Sequence, residues 1–327
     1  MCTCFAYLSR YGMNYLARTM DFSYEQNERP VAVPRDIDWT SKTGTYISSC
    51  YAYIGSGVDV GRWLFADGVN EHGLAVSVNY FSQEATYAPE NHPTNTNITS
   101  EEVCTWLLGN IRDIDDLKAR AHDITIVDYI NPAIDRVVPL HYIVTDATGK
   151  TVAVEPKDGA LIVKDNPVHV LTNNPELEWH LKNLSQHLDF STTRPGAQQL
   201  HDLTVQTHGV EAGTRALPGG FTSADRFARM TYLKAYLEDL EDDDARVNQF
   251  FRLLDTVSIP KGVVFDDNET HYTQYQSILN CTTRTLYYKA YESNQVFTLT
   301  LTEDLIHADA VQHFPVVPQF EVKSLNN

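Results

Sequence analysis

The sequence predicts an α+β fold of mostly antiparallel sheets, formed as a single domain over residues 1–327. Its periodic segments run strands, helices, strands, helices, strands. That order implies layers and excludes a one-by-one alternation with a parallel sheet. No internal repeat or low-complexity linker divides the chain, and 43% hydrophobic with 21% charged residues supply a sizeable core.

The elements follow from local patterning. Thr3 to Leu8 and Asn14 to Thr19 read as two strands joined at Arg10-Tyr11-Gly12, a hairpin that returns Arg18 and Asp21 to the start of the chain. Further strands are expected at Tyr51–Ile54, Leu74–Tyr80, Tyr142–Thr145, Thr151–Glu155, Ala160–Lys164 and Val168–Thr172, with Asp146-Ala147-Thr148-Gly149 as a turn. Tyr275–Asn280, Arg284–Tyr291 and Gln295–Leu301 read as a meander. Thr99 and Glu102 stand at capping-box spacing before a helix that presents Val103, Trp106, Leu107 and Ile111 on one face. Asp113 to Ala121 is a second helix, Ser223 caps a third through Leu237, and Ala245 to Leu254 is a fourth. The acidic run Glu238 to Asp244 reads as a solvated loop, and Gly55-Ser56-Gly57 as a turn.

Charge and motifs exclude several function classes. A net charge of −18 repels phosphate backbones and anionic membrane surfaces, so neither nucleic acid nor membrane is an expected partner. No stretch reaches the roughly 18 apolar residues of a membrane span. The five scattered cysteines, Cys2, Cys4, Cys50, Cys104 and Cys281, do not form a disulfide framework and fit a reducing cytoplasm. No zinc or metal-ligand spacing, phosphate loop or dinucleotide fingerprint is present, so neither metal nor cofactor is expected. No G-x-S-x-G elbow or papain-type cysteine occurs either.

What remains is Cys2, directly behind Met1. Loss of Met1 would leave a thiol nucleophile and a free α-amine in one residue. An α-amine titrates at about 7.7–8.0 and can accept a proton near neutrality. Cys2 also reads as an ordinary terminal residue, and Thr172-Asn173-Asn174-Pro175 as an ordinary turn.

Several separated segments resemble, in order, the choloylglycine hydrolase family of conjugated bile acid hydrolases and penicillin V acylases. They are Met1-Cys2-Thr3, Ala17-Arg18-Thr19-Met20-Asp21-Phe22, Asp67-Gly68-Val69-Asn70-Glu71-His72-Gly73-Leu74 and Val170-Leu171-Thr172-Asn173-Asn174-Pro175. Leu217-Pro218-Gly219-Gly220-Phe221-Thr222-Ser223 leading into Arg226-Phe227, and Ile259-Pro260-Lys261-Gly262, complete the set.

The resemblance implies an N-terminal nucleophile hydrolase: a four-layer αββα sandwich, a homotetramer, and a cysteine-dependent amidase that passes through a thioester. It implies Cys2 as nucleophile and Asp21 as the residue orienting the α-amine. Arg18 is placed at the sulfur, where a cation favours the thiolate. Asn173 and a backbone N–H near Tyr80 are the oxyanion donors, and Arg226 supports the electrostatics. Gly220 stands where the family carries Asp.

For the substrate, a small N-acyl amide, the resemblance leans toward penicillin V. The segment Ala-Arg-Thr-Met-Asp-Phe and Tyr80 at the oxyanion position resemble the acylase branch. Conjugated bile salts and acyl-homoserine lactones are the alternatives, and a non-catalytic binding protein is the alternative of a different class. Asn79, one residue from Tyr80, weighs toward bile salts. Tyr24, Tyr80, Phe81 and Tyr129 are candidates to line the acyl pocket.

Overall fold

A computed structural model describes every residue except Gln26, Ala133, Ile134, Asp267 and Asn327. β1 (Cys2–Leu8) and β2 (Asn14–Phe22) form the expected hairpin, with Cys2 opposite Met20 and Cys4 opposite Arg18. Gly12, at φ +80°, supplies the left-handed turn residue between them.

This hairpin is central to an antiparallel seven-stranded sheet. Val170–Leu171 flanks β1, while Glu269–Asn280, Thr285–Ala290 and Phe297–Thr300 continue beyond β2, and Val264–Asp266 pairs with Glu269–Asn280. An eight-stranded antiparallel sheet lies behind it. Its order is Ala160–Asp165, Thr151–Lys157, Leu140–Thr145, Ala75–Tyr80, Trp63–Asn70, Tyr53–Asp59, Arg29–Val33 and Gln312–His313.

Period-two alternation stacks these sheets. One face of β1 and β2 carries Cys2, Cys4, Asn14 and Arg18, and it meets Ser77, Asn79, Thr145 and Ala66 of the second sheet. The opposite face carries Phe5 and Tyr15, which pack edge-on around Phe250. α1 (Val103–Asn110) and α2 (Ile114–Arg120) cover the outer face of the second sheet in one buried cluster. α3 (Leu177–Asn183), α4 (Ser223–Ala235) and α5 (Asp243–Asp255) join the cluster built on the first sheet. The result is the expected four-layer αββα sandwich.

Several local expectations are corrected. Gly55-Ser56-Gly57 is strand interior, inside Tyr53–Asp59. A Cβ on Gly55 would lie 2.1 Å from the Asp67 carbonyl oxygen, so glycine permits close strand approach there instead of a turn. The Thr99–Glu102 capping box is present but opens a 3₁₀ turn ahead of α1. Thr222, not Ser223, caps α4 by accepting from the Asp225 N–H. The acidic run is not wholly solvated, because Asp242 caps α5 and Asp239 and Asp243 hold the buried Arg246. Of Val168–Thr172, Val170–Leu171 is strand.

Candidate active site

Antiparallel pairing carries Arg18 to the sulfur of Cys2. The two residues share the inner face of adjacent strands, and Arg18 Nη2 donates to Cys2 Sγ at 2.9 Å. The guanidinium is held on its other side: Nη1 donates to the Ala66 carbonyl at 2.7 Å and lies 3.7 Å from Asp67. Arg18 is 1% exposed and Asp67 fully buried. Asp67 also accepts from Ser56, Tyr275 and Ser277 hydroxyls at 2.8, 3.2 and 3.0 Å. Burial pushes its carboxyl upward, countered by Arg18 and these hydroxyls. Sequence reasoning placed Asp67 within a motif but gave it no role. Its signal was a carboxylate within an otherwise apolar run, Trp63-Leu64-Phe65-Ala66-Asp67-Gly68-Val69.

The nitrogen side of Cys2 is equally built. The Cys2 N–H donates to Asn173 Oδ1 at 3.0 Å. Arg226 Nη2 donates to the same oxygen at 2.7 Å, and Arg226 Nη1 donates to the Cys2 carbonyl and to Thr3 Oγ1, both at 2.6 Å. Asn173 Nδ2 donates to the Tyr80 carbonyl at 2.8 Å. These partners fix the amide orientation, since two donors face its oxygen and an acceptor faces its nitrogen. One Nδ2 hydrogen remains for another acceptor.

The Phe81 N–H donates to the Pro139 carbonyl, so ladder alternation turns the Tyr80 N–H to the same edge as its carbonyl, toward Asn173. The Tyr80 backbone therefore lies beside Asn173, as the sequence expectation has it. Its side chain is a correction: it packs with the cluster on the outer face of the second sheet, away from Cys2. Asn79, one residue earlier, points inward and donates to the Leu171 and Thr172 carbonyls at 3.2 and 2.6 Å.

Asp21 sits at the end of β2 with both carboxylate oxygens engaged. Thr19 and Thr273 hydroxyls donate to it at 3.0 and 2.6 Å. Met1 extends the β1–β2 ladder: its amine donates to the Asp21 carbonyl at 2.6 Å, and the Asp21 N–H donates to the Met1 carbonyl at 3.0 Å. Burial pushes the Met1 amine below its ordinary value.

The strand end that carries Asn173 is anchored by Ser223, expected only as a helix cap, and by two histidines that carried no expectation. Ser223 Oγ accepts from the Asn173 N–H at 3.0 Å and bonds Thr172 Oγ1 at 2.9 Å. His141, fully buried and stacked on Phe81 at 4.1 Å, pairs through Nε2 with the Thr172 carbonyl at 3.0 Å. His180 does the same for the Asn173 carbonyl at 3.0 Å. A carbonyl only accepts, so both imidazoles carry their proton on Nε2. Burial pushes His141 down to about 3 and lowers His180, which keeps both neutral near pH 7.

Of the expected pocket residues, Phe81 is buried under His141. Tyr24 lies half exposed and edge-on to Phe22, and Tyr129 lies under Lys42. At Gly220, a Cβ would meet Asp225 Oδ2 at 2.2 Å, a side-chain tip that can swing aside. No group of three or more His, Cys, Asp or Glu residues suited to a metal ion occurs among the described residues.

Residues 2–313 match the linear amide C–N hydrolases of the choloylglycine hydrolase family. The chain belongs to the choloylglycine hydrolase family. It is a hydrolase of linear amide C–N bonds with an N-terminal nucleophile hydrolase fold. The bile salt hydrolase/transferase of Clostridium perfringens is 28% identical over 332 residues, covering 100% of both chains. The crystal structure of the C2A mutant of the conjugated bile acid hydrolase from the same organism superposes with a TM-score of 0.91 at 28% identity, covering 100% of both chains. The penicillin V acylase of Agrobacterium tumefaciens shares the fold at a TM-score of 0.76 and 21% identity, covering 95% of this chain and 90% of that one.

Proposed function

We propose that this choloylglycine hydrolase family member cleaves conjugated bile salts through Cys2, after removal of Met1. The carrying observation is the pair of contacts at Cys2: Arg18 at 2.9 Å from the sulfur and Asn173 Oδ1 at 3.0 Å from the nitrogen. A guanidinium donor stabilises negative charge on sulfur, while Asn173 orients the amine that replaces the peptide N–H.

Cys2 Sγ attacks the amide carbonyl carbon, and the oxyanion takes hydrogen bonds from Asn173 Nδ2 and the Tyr80 N–H. The α-amine, which takes the thiol proton, passes it to the leaving nitrogen as the C–N bond breaks and a thioester forms. The same amine then takes a proton from water, whose oxygen attacks the thioester carbon; the C–S bond breaks, the acid leaves, and the amine returns the proton to the Cys2 sulfur. Arg226 and Asp21 hold the amine's surroundings.

Bile salts take precedence over penicillin V because full-length relatives at 28% identity carry the bile salt name. The acylase likeness, at 21% identity, speaks for the fold alone. Tyr80, which favoured penicillin V in sequence, turns its side chain away from Cys2, and Asn79 faces inward instead. The test is a parallel assay of processed protein on glycocholate, taurocholate, penicillin V and an acyl-homoserine lactone. The expected result is the highest kcat/KM on a bile salt. Preference for penicillin V by tenfold or more, or turnover of none of the four, would overturn the proposal.

A further inference from the structure

A cavity of about 540 Å³ opens at the strand ends of the seven-stranded sheet, lined by the start of Glu269–Asn280, the end of Thr285–Ala290, residues Glu25 and Asn27 to Arg29, and Pro315, Val316 and Pro318. Neither Cys2, Arg18, Asp21, Asn173 nor Arg226 lines it. Glu28 does, at 9% exposure, and its Oε1 has no hydrogen-bond partner among the described residues. Burial pushes this carboxyl up to about 7. An unpaired buried acceptor is a cost that a donor or a cation would offset.

The surroundings define which. Glu25 and Glu292 also line the cavity; Lys261 stands 4.0 Å from Glu25 and 4.5 Å over the Tyr272 ring, and the Arg29 guanidinium is turned onto the Trp63 ring at 5.4 Å, so Glu28 is left without a cation among the described residues. The walls are aromatic: Tyr275 and Tyr288 stack at 4.7 Å, and Tyr272 stands beside them. Carboxylates and π faces disfavour anions and attract cations with an apolar frame. We infer that this cavity is a second binding site, taking a small organic ammonium ion whose charge sits against Glu28 and whose carbon frame lies beside the edges of Tyr275 and Tyr288. Its wall reaches the nucleophile in three contacts, from Tyr275 to Asp67 at 3.2 Å, Asp67 to Arg18 at 3.7 Å and Arg18 to Cys2 at 2.9 Å. Occupancy is therefore read out at the Cys2 sulfur.

The test titrates n-propylammonium chloride into the full chain by calorimetry, with 1-propanol and sodium chloride as controls. Saturable one-to-one binding is expected, weakened at least tenfold by Glu28→Gln and absent for propanol. No saturable binding, or equal binding to Glu28→Gln, would overturn the site. Should Glu28→Gln misfold by circular dichroism, a crystal of the unaltered protein soaked in the probe decides, and density away from Glu28 rejects the assignment. In a Cys50→Ser background, saturating probe is expected to change the iodoacetamide alkylation rate of Cys2 at least twofold. An unchanged rate would remove the coupling, and this readout does not depend on which amide the enzyme cleaves.

Discussion

Cys2 and Cys4 stand on the same face of the same strand, one residue between them, yet they occupy opposite chemical surroundings. Cys2 Sγ meets a guanidinium nitrogen at 2.9 Å. Cys4 Sγ meets Ser77 Oγ at 3.2 Å and donates to Asn79 Oδ1 at 3.1 Å, and burial pushes its thiol up to about 12. Both are nearly inaccessible, so burial alone does not separate them. What separates them is the partner at the sulfur. Cys2 has a guanidinium N–H at its sulfur, whereas Cys4 has two neutral oxygens there. Cys4 does not touch the reacting atoms, but through Asn79 it steadies the Thr172 carbonyl and so the segment that carries Asn173.

Substitution at the two positions should split them widely. Cys2→Ser is expected to lower kcat by more than about 10³-fold with the fold intact, as loss of a nucleophile does. Cys4→Ala should keep kcat within about tenfold while costing about 1–3 kcal/mol of stability from lost packing and an unpaired Asn79 acceptor. Turnover in the amide assay and urea midpoints check both. Equal losses at the two positions would erase the distinction.

The next largest effect is expected at Asp67. Asp67→Asn leaves Arg18 a buried cation without its counter-charge, which costs about 3–5 kcal/mol when a buried pair is broken. Denaturant unfolding measures it, and a change under about 1 kcal/mol would mean that Ala66 and Cys2 suffice to hold Arg18. Ser223→Ala should then cost about 1–3 kcal/mol and lower kcat more than it raises KM, because the Asn173 N–H loses its acceptor. Steady-state kinetics separate the two parameters.

The smallest is a pH effect. His141 is held neutral, with its imidazole pushed down to about 3, whereas in the unfolded chain it takes a proton below about 6.5. Its contribution to stability is complete above that value and is lost as pH falls toward 3. His141→Gln, which still offers an N–H to the Thr172 carbonyl, should flatten the fall in Tm between pH 6.5 and 4 relative to the unaltered protein. Parallel slopes would assign the acid sensitivity to other groups.

Much of this arrangement was legible in the sequence for definite reasons. The hairpin was, because a turn at Gly12 and two alternating runs are local signals, and it alone brings Arg18 to Cys2. Asn173 and Arg226 were reached only through resemblance, since 171 and 224 residues separate them from Cys2. The Gly55 strand was misread because glycine signals a turn until the neighbouring strand is known to press against it. The site contacts of Asp67, His141 and Ser223 went unread because a buried polar residue is defined by partners distant in sequence. Tyr80 shows the other limit: its backbone position was clear, but the face of its side chain depended on a period-two register that one residue inverts.

The clamp on Asn173 has a consequence for how the site meets charge. Two N–H donors face its oxygen and one carbonyl faces its nitrogen, so rotating the amide by half a turn would oppose like dipoles on both sides. Its polarity is settled by folding, before any ligand arrives. If an oxyanion forms there, as proposed, the amide spends no reorganisation in meeting it.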